Sequence, residues 1–224
     1  MTFSIVGRCA ETGQFGMAVS SSSPAVAARC AHARAGVGAV ASQNVTDPRL
    51  GPQTLDAMAT GLDAQTAVDR VIDAAEHTTY RQVLAVDSLG RTAIFSGTST
   101  LGINAEFQSK NAAAAGNLLD NTGIPEAMVT AFHATSGHLG DRLIAAMLAG
   151  LDAGGEAGEV HSAGMLMVDR QDWPLAELRC DWSETCPIAA IAEAWSVYKP
   201  QMDDYVTRAL NPASAPSYGV PGDL

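Results

Sequence analysis

The sequence predicts an α+β fold, a four-layer αββα sandwich of two stacked, mainly antiparallel sheets with helices outside each. Two observations lead there. Predicted hairpins and helix pairs alternate along the chain in blocks, as strands, helix pair, strands, helix pair, strands and helix, and not as single βαβ units. The strands are also apolar on both faces, since Phe3 and Ile5 stand opposite Val6, while Leu84 and Val86 stand opposite Val83 and Ala85. A sheet that is apolar on both faces needs cover on both.

The elements follow in order. TFSIVGR from Thr2 and the returning run QFGMAVSSSS form a first hairpin across a turn at Cys9 to Gly13. The alanine-rich PAVAARCAHARAG after it reads equally as a short helix or a loop. GVGAVASQNV, Gly36 to Val45, alternates small and branched residues and predicts a third strand. Its small residues imply close approach to another layer or room for a ligand. A helix then begins near Pro52, with Leu55 and Met58 on one face, and stops at Gly61. Asp63 caps the next, where Val68, Val71, Ile72 and Ala75 make an apolar stripe.

RQVLAVDSLGRTAIFSG predicts a hairpin turning at Asp87 to Gly90. Gly97 to Lys110 reads as a loop, and NAAAAGNLL as a strand, because Gly116-Asn117 would break a helix. Pro125 opens a helix with Met128 and Phe132 stacked, ended by Gly137. The next has Leu143, Ile144, Met147, Leu148 and Leu151 on one face and stops at Gly154-Gly155. HSAGMLMVD and PLAELRCDW form a third hairpin. A helix from Pro187 carries Ile188, Ile191, Ala192 and Trp195 to a break at Pro200, followed by a turn or two with Met202, Tyr205 and Val206. The division expected is one domain over 1–211 and a flexible tail over 212–224.

Composition narrows the function classes. At 224 residues, 47% hydrophobic and 17% charged, the chain suits one globular domain with a sizeable core. No apolar run is long enough for a transmembrane helix, and no basic region leads into an apolar segment at the start, so a cytoplasmic protein without a membrane role is expected. Cys9, Cys30, Cys180 and Cys186 form no CxxC pair and read as buried thiols; the scattered histidines offer no metal site, and no cofactor is expected. The net charge of −11 argues against nucleic acid. Residues 1–50 nevertheless carry +2, with Arg8, Arg29, Arg34 and Arg49 against Glu11 and Asp47, whereas the remainder carries −13. The asymmetry hints at an anionic small-molecule substrate; pairing of these arginines with distant carboxylates explains it equally well.

Thr2 is the candidate for chemistry. A hydroxyl residue second in the chain, opening a strand, meets the requirement for an N-terminal nucleophile. Removal of Met1 leaves Thr2 with Oγ1 and a free α-amine titrating at roughly 7.7–8.0, so one residue supplies nucleophile and general base. An ordinary edge threonine behind a retained methionine explains the same residue.

The stretches TFSIVGRCAETGQFGMAVSSSS, ARAGVGAVASQN, AAGNLL and HSAGMLMV resemble, in that order, the family catalogued as domain of unknown function 1028. That family is grouped with the N-terminal-nucleophile (Ntn) hydrolases, among them proteasome subunits and self-processing amidases. The resemblance, over residues 2–182, implies the αββα fold and puts Thr2 at the nucleophile's position. Two departures stand out. Ala115 precedes Gly116-Asn117 where the family commonly has Gln, and His161 precedes Ser162-Ala163 where it often has Gln or Arg. Any substrate contact made by those side chains would differ here.

Under that resemblance, Asn117 offers a side-chain amide to an oxyanion, and backbone N–H groups between Asn44 and Gly51 offer others. Arg34 resembles the basic residue that proteasome-type subunits keep near their nucleophile, to lower the amine's pKa or bind a carboxylate. Ser20, and more weakly Asp181, are candidates to orient the amine. Each has a structural alternative: a left-handed turn for Asn117, a salt bridge for Arg34, backbone satisfaction for Ser20. Ser21, Ser22 and Ser23 lack a Gly-x-Ser-x-Gly elbow and read as a polar strand end, and Cys9 in its turn reads as structural. The resemblance and the Trp195/Tyr198 helix point to a homodimer, although those aromatics serve equally as cover for the sheet. The functions in view are an Ntn-type amidohydrolase of a small, perhaps carboxylated amide, or a non-catalytic binding or assembly protein on the same fold.

Overall fold

A computed structural model describes residues 1–219. Ten strands form two antiparallel sheets. The first sheet joins β1 (Thr2–Arg8), β2 (Phe15–Ser21), β7 (Ala105–Ser109), β8 (Ala112–Asn117), β9 (Ser162–Val168) and β10 (Ala176–Cys180), in the order β10-β9-β2-β1-β8-β7. The second joins β3 (Ala31–Arg34), β4 (Gly38–Gln43), β5 (Gln82–Asp87) and β6 (Thr92–Ser96) in sequence order. The helices are α1 (Ala27–Cys30), α2 (Leu50–Ala59), α3 (Ala64–Ala74), α4 (Ile124–Ala134), α5 (Leu139–Asp152), α6 (Pro187–Tyr198) and α7 (Met202–Leu210).

Three apolar layers hold these parts together. Val6, Met17, Val19, Ala41, Leu84, Val86, Ala113 and Ala115 fill the space between the sheets. Phe3, Ile5, Phe132, Leu143, Met147, Ile188 and Trp195 join the outer face of the first sheet to α4, α5 and α6. Val40, Leu55, Met58, Val68, Val83 and Ala85 join the second sheet to α2 and α3. The architecture is therefore the αββα sandwich, and it arises because side chains alternate across each strand. Along β1, Phe3 and Ile5 go to the helices, whereas Val6 goes between the sheets.

Local chemistry sets the boundaries. The Asp63 carboxylate accepts the Thr66 N–H at 2.9 Å and caps α3. His138 and Asp141 form a capping box at the start of α5. Asp141 also accepts from Trp195 Nε1 at 2.9 Å and from Lys199 Nζ at 2.6 Å, which ties α5 to the C-terminal helices. Trp195 and Tyr198, whose hydroxyl donates to Leu175 O, are thus spent within the chain. Asp87 accepts the N–H groups of Leu89, Arg91 and Ala64, which pins the β5–β6 turn against α3.

The fold differs from the sequence reading in places. Gly97 to Lys110 is not all loop, since Ala105–Ser109 is an edge strand paired with β8. Its middle residues are exposed on both faces, so no hydrophobic alternation marked it. PAVAARCAHARAG contains both a helical turn and a strand. Pro52 is the third residue of α2, not the first, still within the turn whose N–H groups need no helical partner. Leu148 lies off the buried face of α5, at 37% exposure. Within the expected tail, Arg208 of α7 donates to Pro216 O and lies over the Tyr218 ring; residues 220–224 lie outside the described residues. Among the described residues, no helix is long and apolar enough to cross a membrane.

The Cβ-free surface of Gly7 lets Phe132 of α4 settle directly on β1, where an added Cβ would stand 2.7 Å from the ring. Phe132 is fully buried. Replacing Phe132 with Ala is expected to lower stability by about 3–5 kcal/mol, measured as a shifted midpoint of chemical denaturation with unchanged cooperativity.

Candidate functional site

The site is built where β1 begins. In register, Thr2 of β1 pairs with Asn117 of β8, and Phe3 pairs with Ser20 of β2. Thr2 therefore shares a face with Ser21 and Asn117, the face turned toward the second sheet, and Ser20 points to the helix side. Thr2 Oγ1 lies 3.3 Å from Ser21 Oγ, and both hydroxyls donate to the carbonyl oxygen of Met1. Ser20 instead donates to Ser162 O at 3.1 Å. The structure thus brings Thr2 and Asn117 together and replaces Ser20 by its neighbour. Thr2 is 7% exposed.

Behind Thr2 runs a buried polar chain between the sheets. Ser4 Oγ donates to Gln43 Oε1 at 2.7 Å, and Gln43 Nε2 donates to Gln82 Oε1 at 2.7 Å. Asn117 Nδ2 reaches the same oxygen at 3.4 Å, and Gln82 Nε2 donates onward to Ser96 Oγ at 3.0 Å. Gln82 fixes which way the Asn117 amide faces: one Nδ2 hydrogen is used and one is left. Pairing of each amide is what makes burial of this chain affordable.

Three loops close over the end of the sheets, each with a left-handed residue other than glycine: Ala25 at φ 52, Asn44 and Val45 at φ 59 and 48, and Leu118 at φ 51. For Val45 and Leu118 this backbone is strained. Asn44 ties its own loop to the segments before β5 and after β6, donating to Tyr80 O at 2.6 Å and accepting Leu101 N–H at 3.1 Å. Of the N–H groups expected to face an oxyanion, those of Arg49 and Leu50 are instead taken by Asp47.

Arg34 is not at this site. It pairs with Asp56 at 2.8 Å, opposite Gly38 at the start of β4. The length of that strand, about 17 Å at ~3.3 Å per residue, separates it from Gln43. The neighbouring Ala35 and Gly36 share a cleft with Thr12 and Gly13, at the far end of β1. The cation nearest Thr2 through hydrogen bonds is Arg29, which donates to Ser23 Oγ at 2.7 Å; Ser23 Oγ lies 2.8 Å from Ser21 Oγ. Asp181 is paired with Arg179.

Glu156 completes the cluster. It sits on the loop between α5 and β9, bridged through its backbone to Leu119, just beyond Asn117. The carboxylate is 5% exposed and accepts Ser22 N–H at 3.0 Å through Oε2, while Oε1 has no partner. Burial pushes its pKa up to about 7, against the opposing pull of the Met1 amine, the Ser22 N–H and His161. His161 N–H donates to Ser21 O, and its ring stacks on Trp182 at 4.4 Å. Sequence reading missed Glu156, Ser21, Gln43 and Gln82. The strand period, counted back from Ser20 opposite Phe3, is a signal that would have found Ser21; no local pattern marks the other three.

The pH dependence of folding follows from Glu156. Its folded pKa of about 7 stands above the unfolded value of a carboxyl, so the stability it contributes is full at low pH and is lost as pH rises toward 7. Glu156→Gln should remove a fall of roughly 3 kcal/mol between about pH 4.5 and 7, seen by comparing denaturation midpoints of the two proteins across that range.

A crystal structure of a DUF1028 protein from Silicibacter pomeroyi matches this chain at 30% identity and TM-score 0.82, covering 88% of this chain and 89% of that one. Anbu (ancestral beta-subunit) from Yersinia bercovieri matches at 10% identity and TM-score 0.40, covering 91% of this chain and 97% of that one, a similarity too low to carry an argument. Among curated proteins none matches. The family model described as "Family of unknown function (DUF1028)" matches residues 2–191, and the chain belongs to that family.

Proposed function

We propose that the chain is an amide hydrolase of the N-terminal-nucleophile type, with Thr2 as its nucleophile once Met1 is removed. The observation that carries this reading is the convergence of the Thr2 and Ser21 hydroxyls and the Asn117 amide on one face, next to the buried carboxylate of Glu156. The family resemblance of the sequence supports it. No step needs a group from outside the chain except water.

With Thr2 first, its α-amine accepts the hydroxyl proton as Oγ1 attacks the substrate carbonyl. The Oγ1–C bond forms, and the carbonyl pair moves onto oxygen, where the second Asn117 Nδ2 hydrogen is available. Collapse breaks the C–N bond and the amine's extra proton goes to the leaving nitrogen. Water then attacks the ester, the amine again takes the proton, and return of that proton to Oγ1 releases the acid. Ser21, within 3.3 Å of Oγ1, holds the hydroxyl in place. Asn117 serves as the donor because Gln82 orients it.

A second reading, a binding or assembly protein without catalysis, is favoured by the burial of Thr2 beneath Met1. A cavity of about 680 Å³ lies away from Thr2, between α2 and α3, lined by Arg49, Asp56, Arg70 and Glu76 among others.

One experiment separates the two. Intact-mass measurement of protein from its native cells should show loss of Met1, and a β-lactone electrophile should give a single adduct mapped to Thr2. Thr2→Ala should give none while its stability stays within about 1 kcal/mol of the parent. A Met1-free chain that forms no adduct overturns the hydrolase reading.

A further inference from the structure

Two contacts seat Met1. Its carbonyl oxygen accepts hydrogen bonds from Thr2 Oγ1 and Ser21 Oγ. Its side chain lies on the loop at Gly158, where an added Cβ would stand 3.1 Å from Met1 Cε. Glu156, two residues before Gly158 on the same loop, accepts the N–H of Ser22, next to Ser21, so its carboxyl lies beside the place that Met1 fills. Glu156 Oε1 is buried and has no hydrogen-bond donor. A buried carboxylate oxygen left in this state is costly unless a donor completes it.

Met1 is itself an aminoacyl group seated at the hydroxyl of Thr2, with its carbonyl and its apolar side chain each in a separate place. Removal of Met1 empties those places and leaves the hydroxyls, the loop and the carboxylate standing. Resting on the hydrolase reading of Thr2, we infer that this is the acyl subsite and that it takes an α-aminoacyl group, with its free ammonium at Glu156, an unbranched apolar side chain over Gly158 and its carbonyl at Thr2 and Ser21. The substrate class is then an amino-acid amide or the first residue of a peptide, and Glu156 is the residue that selects it. A carboxylated acyl group placed the same way would meet Glu156 instead of a cation, which disfavours the anionic substrate that the arginine count implied.

The test uses the full chain prepared with Thr2 as its first residue, titrated calorimetrically with L-methioninamide, L-alaninamide and N-acetyl-L-methioninamide. The free amine should bind at least about tenfold more tightly than the acetylated compound, a preference worth about 1.4 kcal/mol. Glu156→Gln should bring the two within a factor of about two, since the charged partner is gone. Gly158→Val should weaken L-methioninamide about tenfold and leave L-alaninamide nearly unchanged, because its side chain fills only the space of the longer ligand. Equal affinity, tighter binding of the acetylated compound, no binding of any, or a preference that survives in Glu156→Gln overturns the inference. If Glu156→Gln does not fold, Gly158→Val and the parent decide alone. Labelling of Thr2 by the β-lactone without an amine preference removes this inference and keeps the hydrolase; an amine preference without labelling removes the hydrolase and keeps an amine-binding site.

Discussion

The structure depends on β1 being covered on both faces. It lies inside the six-stranded sheet, hydrogen-bonded to β2 and β8, with α4 and α5 on one side and the second sheet on the other. Once Phe3 and Ile5 are committed to the helices, the pleat leaves Thr2, Ser4 and Val6 no direction but the space between the sheets. The same register decides that Ser21, and not Ser20, accompanies Thr2, and that Asn117 stands across from it. A slip of one residue would exchange every one of these assignments. The position of the site is thus a consequence of where two phenylalanines and an isoleucine are buried: Phe3 and Phe132 with Ile5.

Polar groups in that space exist at a cost that the surrounding network offsets. Ser4, Gln43, Gln82 and Asn117 are almost wholly buried, yet each finds a partner, and the chain ends at Ser96, which donates to Glu106 at the surface. A satisfied network of this kind holds its members in one arrangement, whereas a half-satisfied one is worse than an apolar core. Glu156 Oε1 breaks the pattern, and it does so beside the strained residue Leu118, whose carbonyl accepts the N–H of Ala157. Strain at Leu118 and an unmet hydrogen bond at Glu156 thus meet at the end of the sandwich where Thr2 lies.

Much of this was legible in the sequence, for a physical reason. Burial writes itself into apolar periodicity, so the layers, the Asp63 cap, the Asp87 turn and the alanine strand before Asn117 were all readable, as was Thr2 at the head of its strand. The edge strand Ala105–Ser109 was not, because nothing covers it and it carries no stripe. Ser21 was hidden in a run of serines whose members differ only by which face they take. Glu156 and Gln82 are brought in by a loop and a strand from distant parts of the chain, and side-chain pairing across separations of 35 to 134 residues leaves no local mark. Arg34 was misplaced because sequence shows a strand's residues but not which end of the partner sheet they reach.

Charge shows the same limit most clearly. Counted along the chain, the first fifty residues are the net-positive part, which pointed to an anion. In the fold those arginines disperse: Arg34 goes to Asp56, Arg49 to Asp47 and Arg8 to Asn111, leaving Arg29 to reach the cluster through Ser23. Meanwhile the buried carboxyl group on the loop beside Met1, that of Glu156, comes from the net-negative remainder of the chain. Field strength falls with distance and rises with burial, so a carboxyl group 5% exposed beside Met1 acts there more strongly than guanidinium groups already paired nearer water. Glu156, whose pKa burial raises to about 7, is the titratable group that the occupant of that place meets, and a cation there favours its charged form.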